Sequence, residues 1–308
     1  MLALLSFLLG LASFVLFFFT GVPAILLGYR GLREVNESDG VVRGRVAAIL
    51  GMITGCLGTL AGIIGMIALV LIELRGNAER VLCQDHLRRI GSSVWLYVDE
   101  QRHYPPGTLP GPLPPGQRPS WYVTILPRLE IQPRQPTHPR QKQWDRLADA
   151  IDKKAAWDAE VNRVPAHTAV RWFACPARPD DEADYDTSYV GLAGVGVNAA
   201  DFELDNPRAG VFGYERTATI EDITRGLSAT MLCAETRWET GPWLAGGPST
   251  VRGLDDTNLP YIGPGRPWGG LHAGGLNILH ADGSVQFVNQ NVEPAVFQSL
   301  ALIHAPPE

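Results

Sequence analysis

Two stretches without a charged side chain constrain what this chain can fold into. They are "MLALLSFLLGLASFVLFFFTGVPAILLGY", residues 1–29, and "VAAILGMITGCLGTLAGIIGMIALVLI", residues 46–72. Each exceeds the about 20 apolar residues needed to cross a hydrocarbon core of about 30 Å. Each predicts a transmembrane helix, which makes the lipid bilayer the first expected partner. The first is too long for a cleaved signal peptide and has no basic leading segment and no A-x-A site. The second carries Gly51/Gly55, Gly58/Gly62 and Ala61/Gly65. These small residues lie four apart and permit close helix contact, here with the first span. Residues 1–74 therefore read as a two-span anchor and residues 75–308 as a separate domain.

The link "RGLREVNESDGVVRGR" holds Arg30, Arg33, Arg43 and Arg45, and the segment after the second span holds Arg75, Arg80, Arg88 and Arg89. The two flanks tie. The first helix dominates topology, and no Lys or Arg precedes it, so the link is expected in the cytoplasm and residues 75–308 outside it. The net charge is −6. With no basic cluster, this excludes a nucleic-acid partner. Of the four cysteines, Cys56 lies in the second span. Cys83, Cys175 and Cys233 are left in the following domain, with no C-x-x-C pair among them.

Past residue 74, Cys83, Leu87, Ile90, Val94 and Tyr97/Val98 recur at helical spacing and define one apolar face. The membrane helix is thus expected to continue, up to Pro105, as an amphipathic helix lying on a folded domain. His86, beside the polar face, is expected in solvent. A proline-rich loop, 105–119, follows. Residues 141–163 read as a helical insertion with Trp144, Leu147, Ile151 and Trp157 facing inward. From about residue 170 the chain reads as short strands: "AVRWFACP", "TSYVGLAGVGV", "SATMLCAE", "LNILHA" and "SVQFVN". The acidic loop "DDEADYD" lacks the order of a calcium-binding EF-hand loop. The fold class is α+β, a long helix packed on an antiparallel sheet.

Asp282-Gly283 between two strands is a hairpin signal. A two-residue loop would put His280 opposite Val285 and Ile278 opposite Phe287. Leu276, Ile278 and His280 would then share a face with Val285 and Phe287. His272, His280 and Asp282, with Glu235, form a candidate metal-ligand set. The alternative is a structural hairpin in which Asp282 serves the turn and His272 bonds nearby backbone. No Gly-x-Ser-x-Gly, phosphate loop or paired-carboxylate pattern marks another catalytic site.

Several of these residues also carry a resemblance. His272, nine residues, then Asp282-Gly283 match an H-X9-DG signature. "RVLCQDHLRRIGSSVWLYVDEQRHYPPG", "SWYVTILPRLE", "FACP", "TSYVGLAG" and "IEDITRGLSATMLCAE" accompany it. Over about residues 77–300 the chain resembles a planctomycete pilin-like family, domain of unknown function 1559. Residues 1–74 resemble a two-span domain, domain of unknown function 4190. The prepilin leader typical of the first family is absent. The resemblance implies a pilin-like architecture and no established reaction. Cys83 and Cys175 lie in motifs that carry it, so a disulfide between them is expected. It would close a loop of about 90 residues and contribute about 4 kcal/mol. Two buried free thiols are the alternative.

The expectation for function is a membrane-anchored envelope or surface protein of structural or protein-interaction type. It has no catalysis and no cofactor, and its partners are other envelope proteins. One alternative is a metal-dependent envelope hydrolase built on His272, His280, Asp282 and Glu235. Another is a secretion-associated binding module, with the proline loop and Trp238, Trp243 and Trp268 lining a groove.

Overall fold

The computed structural model describes residues 21–38, 44–129, 141–179 and 182–305. The chain divides into two units, Met1–Arg75 and Gly76–Glu308. Most of the first predicted span, residues 1–20, lies outside the described residues. Its remainder is helical and runs into the link as α1, residues 21–37. There Arg33 and Glu37 pair at 2.7 Å, four residues apart on one helix face. Among the described residues one helix is long and apolar enough to cross a membrane, α2 (Arg45–Gln101).

Within the first unit, α1 and α2 touch where side chains are smallest. A Cβ placed on Gly55 would lie 2.8 Å from the Gly21 carbonyl oxygen and 3.0 Å from Ile25. One placed on Gly28 would lie 2.5 Å from Met52. The small residues thus bring backbone against backbone, as expected of Gly55. Gly51, its partner in the sequence pattern, faces open space. Large apolar side chains of α2, among them Leu50, Leu57, Ile64 and Leu71, point outward with more than half their surface exposed. Such a surface is unfavourable in water and matches a hydrocarbon solvent.

In the second unit the pattern of α2 changes from apolar all round to one-sided. Cys83, Leu87, Ile90 and Val94 are fully buried and Val98 nearly so. They cover one face of a five-stranded sheet. The strands are β1 (Tyr189–Val195), β2 (Met231–Glu235), β3 (Val251–Leu254), β4 (Gly275–His280) and β5 (Val285–Asn289), in the order β3-β1-β2-β4-β5. The expected antiparallel sheet is in fact mixed, because β3 pairs parallel to β1. The chain leaves β2, steps over β1 and returns along its outer edge. β3 is only four residues long and contains a glycine, so it carried no strand signal.

Four of the five strands, β1 to β4, are buried on both faces. On the α2 side Tyr189, Cys233 and Leu279 join a core with Trp121, Phe173, Phe212 and Trp243. On the other side Val190, Leu192, Met231, Leu276 and Ile278 pack with Tyr261, Trp268 and the helix Pro294–Leu300 through Phe297. Every residue of β1 and of β4 is consequently buried, as in sheets covered on both sides.

Three other expectations are corrected. The insertion 141–163 is not one helix. A helix, Gln141–Asp149, ends before Asn162, which is fully buried. Asn162 binds the Asp152 amide and carbonyl through its side chain and so closes a loop. Asn and Asp side chains compete in this way with helical hydrogen bonds. "AVRWFACP" is a 3₁₀ turn, Arg171–Phe173, rather than a strand. Arg89 and Arg171 lie over its Trp172 ring at 4.2 and 3.9 Å.

His86 is half-buried rather than free in solvent. Its Nδ1 lies 2.9 Å from the Ala174 carbonyl oxygen, and its ring meets Trp172 edge-on at 5.1 Å. Burial lowers its pKa below the usual 6.5, against the opposing effects of the Ala174 carbonyl and Asp85; Arg171 and Arg89 add to the lowering. The folded state thus holds fewer protons here than the unfolded state when pH falls below 6.5. This part of the stability is complete above pH 6.5 and declines toward the lowered folded-state pKa. Urea midpoints of the chain in detergent at pH 7.5 and 5.5 should differ. His86→Gln should narrow that difference, and an equal difference in the variant would remove His86 as its source.

Candidate functional site

The strand register brings an acidic side chain to the buried face under α2. Tyr189 pairs with Glu235 across β1 and β2, and Ala234 pairs with Ile278 across β2 and β4. Tyr189, Glu235 and Asn277 therefore lie side by side on the face that α2 covers. Glu235 is fully buried. Its Oε2 accepts the Asn277 backbone N–H at 2.6 Å, and its Oε1 accepts the Asn277 side-chain amide at 3.0 Å. The Asn277 side-chain oxygen in turn accepts Gln84 Nε2 of α2 at 3.0 Å. A carboxyl group in such a place requires these donors, since an unpaired buried carboxylate costs several kcal/mol or more.

His272, in the turn leading into β4, completes the group. Its Nε2 is 3.4 Å from Glu235 Oε1 and 3.3 Å from Cys175 Sγ. Cys175 is joined to Cys83 in a disulfide with Cα atoms 5.3 Å apart. The Tyr189 hydroxyl lies 3.0 Å from Cys83 Sγ. Burial first, then the nearby Glu235, holds that hydroxyl protonated well above the usual tyrosine range. The Cys175 amide donates to Ser188 Oγ at 3.0 Å. One donor atom each from Cys83, Cys175, Glu235 and His272 lies within 4.8 Å of the other three. The cysteines are essentially without solvent contact, and the His272 and Glu235 side chains are 4% and 0% exposed.

Two members of the metal-ligand set expected from sequence, His272 and Glu235, are together, and two are not. His280 turns away to Gln286, with Nε2 to Oε1 at 3.0 Å. Asp282 accepts the Ser284 amide and hydroxyl at 2.8 and 2.6 Å and so serves the turn. The hairpin loop also has three residues instead of two. Leu279 pairs with Val285, Ile278 with Gln286 and Leu276 with Val288, one residue out of the expected register. Gly283 at φ 83° takes the left-handed position that closes such a loop. This slip moves Val285 and Phe287 to the face opposite His280, because side chains alternate. His272 meets Gly275 in an isolated backbone bridge, and its ring reaches a carboxyl and a sulfur.

In the sequence the disulfide cysteines and the histidine–carboxyl pair lie in separate motifs. Only the pairing of β2 with both β1 and β4 puts them in one place. The expected tryptophan groove does not form. Trp243 and Trp268 are fully buried, Trp243 donating to the Thr168 carbonyl at 2.9 Å. Trp238 alone of the three is exposed, beside an open cavity of about 270 Å³ with Arg237, Pro264 and Arg266.

A family model described as a protein of unknown function, DUF1559, matches residues 73–295. No curated protein and no solved structure matches the chain.

Proposed function

From the premise that this chain belongs to the DUF1559 family, we propose that it is a membrane-anchored protein of the cell envelope. Its Gly76–Glu308 unit is held outside the cytoplasm and makes protein contacts there. The observation that carries the reading is the outward-facing apolar surface of α2 between Leu50 and Ile72, since a helix of that composition is stable in lipid and costly in water. The Cys83–Cys175 disulfide supports an oxidising compartment for the second unit. The reading takes the uncharged residues 1–29 as a second span, which makes the anchor a hairpin of the domain 4190 kind, and takes the second unit as pilin-like.

A non-catalytic role is favoured by the geometry of the cluster of Cys83, Cys175, Glu235 and His272 under α2. Its four side chains lie together and are at most 4% exposed, whereas a catalytic metal keeps an open position for water or substrate. Orientation is tested by placing a cysteine in the link, as Glu37→Cys, and treating intact cells with a membrane-impermeant maleimide. The expected result is labelling only after the membrane is opened. Labelling in intact cells would reverse the topology, and a chain released by carbonate washing would remove the anchor itself.

A further inference from the structure

The four side chains that meet under α2 are a set of metal-binding types, with one donor atom from each within 4.8 Å of the others. Bonds of about 2.0–2.3 Å from nitrogen, oxygen and sulfur to zinc give tetrahedron edges of about 3.3–3.8 Å. His272 Nε2 stands 3.3 Å from Cys175 Sγ and 3.4 Å from Glu235 Oε1, on those edges already. The two sulfurs are closer, because they are bonded to each other.

We propose that Cys83, Cys175, His272 and Glu235 form a closed, four-coordinate site for a zinc-class divalent cation when the two cysteines are thiols. The same four residues are a disulfide beside a histidine–carboxyl pair when they are not. Two thiolates and an imidazole select zinc-like ions over calcium or magnesium, which take oxygen donors. The surroundings are those of a metal site. Asn277 fixes Glu235 through two hydrogen bonds, and the Tyr189 hydroxyl points at Cys83. Groups placed in this way orient ligands and strengthen binding. With four protein donors the ion has no vacant position, so its role is structural. It would hold α2 to the sheet in place of the cross-link.

The change of state balances as a thiol–disulfide exchange. A dithiol gives up two electrons and two protons and becomes a disulfide, while the Cys83–Cys175 bond opens to two thiols. Cation binding then releases both thiol protons. The bond is buried, so the exchange requires the unit to open, and loading of the metal belongs with folding.

The full chain in detergent is divided into two portions. One is reduced in urea with a dithiol, freed of the dithiol without oxygen and refolded with Co²⁺ as the probe. The other stays oxidised and receives Co²⁺ directly. The expected result is one cobalt per chain in the reduced portion only. It should show a thiolate-to-cobalt charge-transfer band and the intense visible bands of tetrahedral Co²⁺. Absence of the charge-transfer band, equal uptake by the oxidised portion, or failure of the reduced chain to refold with metal present would each overturn the proposal. Glu235→Gln should weaken cobalt binding at least tenfold with the circular dichroism of the fold retained; unchanged affinity would remove Glu235 from the site. If that variant does not fold, the comparison of the two wild-type portions decides.

Discussion

Arg216→Ala is expected to destabilise the second unit by about 3–5 kcal/mol, one of the largest single-residue effects in the chain. The guanidinium is buried among backbone carbonyls. It donates to Ala199 at 2.9 Å, Phe202 at 2.6 Å, Ala193 at 2.6 Å and Gly210 at 3.1 Å, and also to Phe212. Ala193 belongs to β1 and the others to the loop that follows, so one side chain ties that loop to the strand. Burial brings its pKa down to about 10, with Glu203 and Asp201 opposing, so it remains charged at neutral pH. Alanine would leave those carbonyls without a donor in a dry interior. Lysine would restore the charge but offers fewer donors and no planar fork, so Arg216→Lys should fall between alanine and the native residue. Urea midpoints of the three chains, at unchanged dependence on denaturant, test this order. An alanine variant within about 0.5 kcal/mol of the native chain, the usual range for surface changes, would refute the account.

Removing the cross-link should have an effect of similar size. The disulfide joins residues 92 positions apart, and the chain-entropy model assigns such a loop about 4–5 kcal/mol. Cys83→Ala together with Cys175→Ala should lose that amount under oxidising conditions. Reduced native chain without metal should fall to about the same level. Added Zn²⁺ should recover stability in the reduced native chain and leave the double variant where it was. Equal response of both to zinc would separate the stabilisation from these residues.

Where interactions are local, the sequence was readable. The buried stripe of α2 follows from spacings of three and four between Cys83 and Val94, and the hairpin follows from Asp282-Gly283. Its register was not readable, because two- and three-residue loops share the same Asp-Gly signal. Ser284, which binds Asp282 with both amide and hydroxyl, fits the turn inside the longer loop. β3 was missed because its short run is recognised only by lying against β1. The site was half readable. Cys83, Cys175, His272 and Glu235 were each singled out, but their union depends on strand pairings far apart in the chain. Arg216 gave no signal, since an arginine in a turn-rich segment is ordinarily solvated, and only the folded loop supplies its carbonyl partners.

The hairpin and the helix meet closely at two glycines, Gly283 and Gly91. A Cβ on Gly91 would lie 2.9 Å from Leu279 and 3.4 Å from the Gly283 Cα, and one on Gly283 would lie 3.2 Å from Trp95. The element that opens the second unit is thus covered by one of the last to be synthesised. At about 5–20 residues per second, the ribosome reaches Leu279 roughly 10–40 s after Leu87. For that interval the apolar stripe of α2 has no sheet to lie on. Cys175 emerges about halfway through, so the cysteine pair can close before the carboxyl and imidazole that will surround it have been made. A unit built in this order has high contact order and slow closure, and the stripe of α2 stays uncovered until the hairpin arrives.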